Sequence, residues 1–266
     1  QFKTDAFVFD MGPSWYWMPD VFERFYEQFG HTSADFYTLK RLDPSYRIYW
    51  PDHDFTDIPA NYTEMENWFE SLEPGSSIQL KAFLKEAEYK YEVGMKDLVF
   101  RPSLSLLEFV DMRILKGLFQ LDLTKPFSKY IRKYFKHPKL ISMLEFPVLF
   151  LGAMPNETPA LYSLMNYADI SLGTWYPMGG MFKFIEAFEK IALEQGVKII
   201  TDAEVTSFDC EGEKVVAART KDQVFTSDVF ISGADYQHTD DKLLGDKANY
   251  TDSYWDKRTM APSCLI

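Results

Sequence analysis

The order of predicted elements places this chain in the α/β class, as part of a doubly wound sheet with a β-meander and a mainly helical insert. Three observations predict it. Strand signals lie at both ends of the chain, and the middle, from about residue 63 to 169, reads as helix punctuated by Pro102, Pro126, Pro138 and Pro155. The run DVFISGAD, residues 228–235, is β-branched and aromatic and closes on Gly233, as a buried strand does at the ligand crevice of such a sheet.

Taken in order, Phe2 to Phe9 alternates loosely and reads as a strand, and Pro19 to Phe29 reads as a helix with Val21, Phe22 and Phe25 on one face. Tyr46 to Trp50 is a further short strand, and residues 51–61 and 73–77 read as linkers. After Gly179-Gly180, the residues Met181, Phe182, Phe184, Ile185, Phe188, Ile191 and Ala192 keep helical spacing until Gln195-Gly196 stops them. Val197 to Ile200 is a short apolar strand. Three more follow at 204–208, 214–219 and 223–226, with turns at Glu211-Gly212 and Lys221-Asp222, which makes a meander. Two lobes result, one sheet-rich and discontinuous (1–62 and 175–266) and one helical (63–174).

Composition narrows the function classes. With 266 residues and 46% apolar content the chain can bury a sizeable core. No run approaches the roughly 18 apolar residues of a membrane span and no signal peptide opens the sequence, so a soluble or peripheral cytoplasmic protein is expected. Cys210 and Cys264 stand far apart and suggest no disulfide framework; the four histidines have no ligand spacing, so no metal site is expected. A net charge of −12 argues against nucleic acid as a partner. Within it, residues 113–140 hold eight Lys/Arg against the single acid Asp122.

Near the start, FDMGPSWYWMP forces a turn at Gly12-Pro13 directly before three large aromatics. Such a loop either caps a core or brings a backbone close to a flat ligand. The segment from Gly179 to Asp235 reads as one unit of a dinucleotide-binding sheet, in which the backbone near Val205 serves the adenine side and the small Gly233-Ala234 lies against the cofactor. No G-x-G-x-x-G occurs anywhere in the chain.

Three stretches in order, FVFDMGPSWYWMP, WYPMGGMFKFIEAFEKIALEQGVKI and the meander closing in VFISGADYQHT, resemble the flavin-dependent carotenoid (phytoene) desaturases of the flavin amine-oxidase superfamily. The resemblance spans most of the chain. It implies a flavin-binding sheet with FAD as cofactor, and a FAD-dependent dehydrogenation of a long apolar polyene. It places Met11, Gly12, Pro13 and Ser14 beside the flavin ring, and Gly179, Gly180, Val205, Gly233, Ala234 and Asp235 in the same cofactor-binding set. Trp15 and Tyr16 are then expected to wall a cavity for the hydrocarbon, with Trp17 in the core. Members of the family carry a strand and G-x-G-x-x-G ahead of the F-D-x-G-P segment and continue past the residue matching Ile266. The chain is therefore expected to be an internal piece that does not retain flavin by itself.

Two further features have alternative readings. Glu108 and Asp111, in SLLEFVDM, are either carboxylates near the chemistry or a solvated face, and no catalytic residue is assigned. In PFSKYIRKYFK, residues 126–136, Phe127, Tyr130, Ile131, Tyr134 and Phe135 share a helical face, with Lys129, Arg132, Lys133 and Lys136 opposite or flanking. This is either an ordinary surface helix or a segment docking on an anionic membrane, which a lipid-dissolved substrate favours. The rival functions are a flavin oxidase acting on a porphyrinogen- or retinoid-like substrate, and a lipid-binding module without redox chemistry.

Overall fold

The computed structural model describes residues 1–51, 53–102, 104–105 and 122–259, so Glu108 and Asp111 lie outside the described residues. They fall into two compact units, Gln1–Ala192 and Leu193–Ile266, each described by itself. Among them no helix is long and apolar enough to cross a membrane.

The first unit holds three two-stranded antiparallel ribbons: β1 (Phe2–Lys3) with β2 (Val8–Phe9), β3 (Leu39–Arg41) with β6 (Trp175–Pro177), and β4 (Tyr46–Tyr49) with β5 (Phe55–Ile58). Strand β5 lies inside a segment expected to be a linker. Among the described residues its α-helices of five residues or more are α1 (Pro19–Glu27), α2 (Tyr62–Leu72), α3 (Ser76–Val93), α4 (Phe127–Ile131), α5 (Pro138–Glu145) and α6 (Phe182–Glu194). Local chemistry sets their ends. Pro19 opens α1, where its missing N–H costs nothing. The Asn61 side chain accepts from Thr63 N (2.9 Å) and Glu64 N (3.2 Å) to cap α2. Gly196, at φ +80°, provides the left-handed turn after α6.

Two cores hold this unit together. In the larger, Met65 and Phe69 of α2, Leu80 and Phe83 of α3, Phe127, Tyr130 and Ile131 of α4 and Leu140 and Leu144 of α5 are all buried. Lys90 of α3, fully buried, donates to Asp122 Oδ2 and to Ala160 O, both at 3.2 Å, and lies 3.9 Å from the centre of the Tyr130 ring. In the second core α1 packs on α6 through Phe22, Phe25, Tyr26, Phe184, Ala187 and Phe188.

Tyr46, Ile48 and Ile58 of the β4–β5 hairpin pack into the helical core. Two expectations are corrected here. The aromatic face of residues 127–135 does exist, but α4 is only five residues long and that face is covered by the chain's own core, leaving Lys129, Arg132, Lys133 and Lys136 exposed. Finally, among the described residues no pair of strands is parallel. Residues 197–200 and 228–235 form no strand, and Val229 and Ile231 are 72% and 94% exposed. A two-sided apolar strand is defined by neighbours on both edges, and these runs have none among the described residues.

The second unit contains the expected meander. Strands β7 (Val205–Glu211), β8 (Lys214–Thr220) and β9 (Val224–Thr226) lie in that order, all antiparallel.

Candidate functional site

Asp10 joins the two glycine-bearing motifs of the first unit. Its Oδ2 accepts from Met181 N at 2.6 Å and its Oδ1 from Phe182 N at 3.3 Å, so it caps the N-terminus of α6 from across the fold. Gly180, at φ +107°, has no Cβ to spare: one would sit 3.0 Å from Asp10 Oδ2. The loop Met11-Gly12-Pro13-Ser14 that follows Asp10 is exposed, and Gly12 (φ +124°) has open space where a Cβ would point. Met11 to Ser14 and Gly179-Gly180 are thus brought to one place. Asp10 itself is missed by pattern reading, because its capping role depends on a helix some 170 residues away, Met181 being the first partner. The only local hint is that Met178-Gly179-Gly180 offers α6 no capping side chain of its own.

The next three residues alternate. Tyr16 pairs with Trp175 through two backbone hydrogen bonds, Tyr16 N to Trp175 O at 2.8 Å and Trp175 N to Tyr16 O at 3.0 Å, which holds the segment extended. Successive side chains then point to opposite faces. Tyr16 is 1% exposed and turns into the second core, where its hydroxyl meets that of Tyr37 at 2.9 Å; Tyr37 in turn meets Tyr26 at 2.8 Å. Burial holds all three phenols far above their ordinary pKa. Trp15 and Trp17 share the other face. Their ring centres are 5.6 Å apart, Trp15 lies 6.0 Å from Phe146 and 5.1 Å from Phe150, and Trp17 lies 5.6 Å from Phe150. This corrects the placement of Tyr16 and Trp17: the aromatic wall is Trp15, Trp17, Phe146 and Phe150, and the core residue is Tyr16. The period of two in W-Y-W was the signal available.

Behind the wall lies a buried carboxylate. Asp169, 3% exposed, accepts from Tyr46 Oη at 2.7 Å and from Thr174 Oγ1 at 3.0 Å; Thr174 Oγ1 accepts from Trp17 Nε1 at 2.8 Å. Burial pushes Asp169 up to about 6, against the pull of those two hydroxyl donors and the Arg41 charge. Gly173 (φ +89°) makes room for Arg41, since a Cβ there would meet its Cζ at 2.5 Å. In the sequence Asp169 marks the end of the helical segment, and an acid inside NYADISLG is the visible anomaly there.

In the second unit, Val205 opens β7 opposite Thr220. Gly233, Ala234 and Asp235 are exposed, and Asp235 Oδ1 accepts from His238 N at 3.0 Å to start the helical turns that follow.

An exposed glycine loop thus stands next to a cluster of four aromatic rings. A family model described as flavin-containing amine oxidoreductase matches residues 1–244, and the chain belongs to that family, which implies a flavin cofactor. Among relatives, the chain is similar to a carotenoid 3,4-desaturase of Haloarcula japonica, 38% identical over 99% of this chain and 54% of the relative. It is likewise similar to a zeta-carotene-forming phytoene desaturase of Myxococcus xanthus, 29% identical over 92% of the chain and 48% of the relative. A third is a 4,4'-diapophytoene desaturase of Staphylococcus aureus, 27% identical over 93% of the chain and 50% of the relative. The chain spans about half the length of these curated relatives.

Proposed function

We propose that the protein containing this chain is a FAD-dependent desaturase of a long, carotenoid-type polyene. What carries the reading is the juxtaposition of the open Gly12 loop with Trp15, Trp17, Phe146 and Phe150, taken with relatives named as carotenoid desaturases. In this reading residues 1–62 and 175–266 contribute to a doubly wound flavin-binding domain. Residues 63–174 form the substrate-facing domain, with the β4–β5 hairpin docked on it.

The residues present fit one side of a flavin better than the other. The Met11 to Ser14 loop is exposed and Gly12 has open space beside it, which suits an approaching ring, whereas Gly179, also exposed, is approached by the Lys183 side chain at 2.9 Å from where a Cβ would stand. The N-terminus of α6 is already occupied by the Asp10 carboxylate, so it is closed to a pyrophosphate. The proposed cofactor contacts are Met11, Gly12, Pro13, Ser14, Gly179 and Gly180 in the first unit, and, each taken by itself, Val205, Gly233, Ala234 and Asp235 in the second. When bound, the flavin supplies the hydride acceptor, and forming the C=C bond releases the second hydrogen as a proton. The chain's own part is to align the polyene on Trp15 and Trp17 and to keep water away from it.

Such a substrate comes from a bilayer. Exposed Lys129, Lys133 and Lys136, without ion-pair partners among the described residues, are proposed to attract anionic lipid by charge alone, because the neighbouring aromatic face is buried. The test is reconstitution of the full-length protein with FAD in liposomes carrying linear polyenes, with products resolved by absorbance. A red-shifted product with a longer conjugated system is expected. A yellow, flavin-loaded protein that leaves every linear polyene unchanged would refute the reading. Replacing the three lysines by Gln is expected to weaken flotation with anionic liposomes at low salt.

A further inference from the structure

The aromatic wall is held by a single buried carboxylate, and this has consequences for the substrate. The indole of Trp17 has one donor, and it is committed to Thr174 Oγ1 at 2.8 Å. The Thr174 hydroxyl has one proton, and it goes to Asp169 Oδ1 at 3.0 Å, which leaves its lone pairs for the indole. The other carboxylate oxygen takes the Tyr46 hydroxyl at 2.7 Å, and the Tyr46 ring lies 5.7 Å from Phe146. Trp17 is therefore tied to this carboxylate through hydrogen bonds, and Phe146 packs beside a ring that is bonded to it directly.

Each donor and acceptor in this chain has a single consistent direction, so the Trp17 indole is fixed in rotation as well as in position. A core that needed only to be filled would be served better by an apolar side chain, since burying a carboxylate is unfavourable. The wall also does not end in the core. Phe150 is 47% exposed, and Leu149, Leu151 and Met154, on the same short segment, are exposed as well, so apolar surface continues outward from the rings.

We propose that Asp169 is a positioning residue: through Thr174 and Tyr46 it fixes Trp17 and Phe146 as the wall against which a linear polyene lies, and so sets the length of chain accepted. This rests on the desaturase reading and names the residues that would give it selectivity. The rings meet tilted, Trp15 with Trp17 at 46°, or edge-to-face, Trp17 with Phe150 at 88°, so they form a contoured surface, and its contour is kept for an extended chain only while the indole does not turn.

The experiment uses the full-length, flavin-loaded protein and compares it with Thr174→Ser, Thr174→Val and Asp169→Asn variants. Affinity for a thirty-carbon and a forty-carbon linear polyene is read from quenching of tryptophan fluorescence. Near-ultraviolet circular dichroism reports indole immobilisation, and flavin content and melting temperature report folding. Thr174→Ser keeps the hydroxyl and is expected to match the parent. Thr174→Val and Asp169→Asn are expected to lose an indole dichroism band and to bring the two affinities about tenfold closer together, with flavin content unchanged. Equal behaviour of the Ser and Val variants, or a uniform loss of affinity for both chain lengths that follows melting temperature, would overturn the proposal and leave only a structural role. If the unaltered protein binds neither polyene, the desaturase reading fails, and this inference with it.

Discussion

Asp10 and Asp169 are both carboxylates with polar partners, yet their surroundings give them opposite characters. Asp10 accepts two backbone N–H groups at the start of α6, a helix with no capping residue of its own. Asp10→Ala is expected to cost about 1 kcal/mol, and up to about 2, in denaturant unfolding. Gly180→Ala is expected to be destabilising too, through its positive φ and the 3.0 Å approach to Asp10. Asp169, by contrast, is faced by Tyr46 from β4, Thr174 ahead of β6 and Arg41 from β3, and burial still raises it to about 6. An unfolded carboxyl titrates near 4, so between about pH 4 and 6 the folded state keeps a proton that the unfolded state has lost. Stability contributed here is therefore present at low pH and declines as pH rises through that window, by up to about 3 kcal/mol. Unfolding free energies of the parent minus those of Asp169→Asn, measured from about pH 4 to pH 7, are expected to fall and then level off. A flat difference would mean that the carboxyl is not held up by burial.

At the scale of elements, α1 is joined to the Tyr37 and Tyr16 segments by a hydroxyl chain as well as by apolar contact. Tyr37 occupies its middle, bonded to Tyr16 on one side and Tyr26 on the other. Tyr37→Phe breaks both bonds and is expected to cost about 1–3 kcal/mol, whereas Tyr16→Phe leaves the Tyr26–Tyr37 bond and should cost clearly less. Thermal unfolding of the two variants distinguishes them, and equal losses would show that the hydroxyls are not coupled. Much at this scale was legible beforehand: α1, α6 and the three-strand meander fall where apolar spacing, Pro19, Gly196 and the Glu211-Gly212 turn put them. Strand β5 was not legible, because FTDI, residues 55–58, is too short and polar to show a period; its pairing with β4 makes it a strand. The length of α4 escaped for another reason. Its aromatic spacing describes a face, and a face does not say whether core or membrane covers it.

Across the whole molecule, the notable property is apolar surface left on runs that read as strands. Phe7 and Val8 near the start, Val197 and Ile199 after α6, and Val229 and Ile231 after the meander are all exposed. Such runs promote association between chains. Val229→Lys combined with Ile231→Lys is expected to lower binding of a hydrophobic dye by the purified 266-residue chain and to raise its solubility, with the circular dichroism of the meander unchanged. No change in dye binding would show that these residues are covered in solution.

The sequence by itself determined the family, through three motifs whose glycines and aromatics have local geometric reasons, and it determined most helices and the meander, since capping, turn chemistry and periodicity act over a few residues. The tertiary structure alone decided three matters: that Asp10 caps α6, that Tyr16 turns inward while Trp15 and Trp17 face Phe146 and Phe150, and that Asp169 stands behind them. Each depends on partners far away in the chain, such as Trp175 for Tyr16 and Tyr46 for Asp169. A residue's neighbours along the chain fix its backbone preferences, but what it touches and whether it is buried are properties of segments meeting in space.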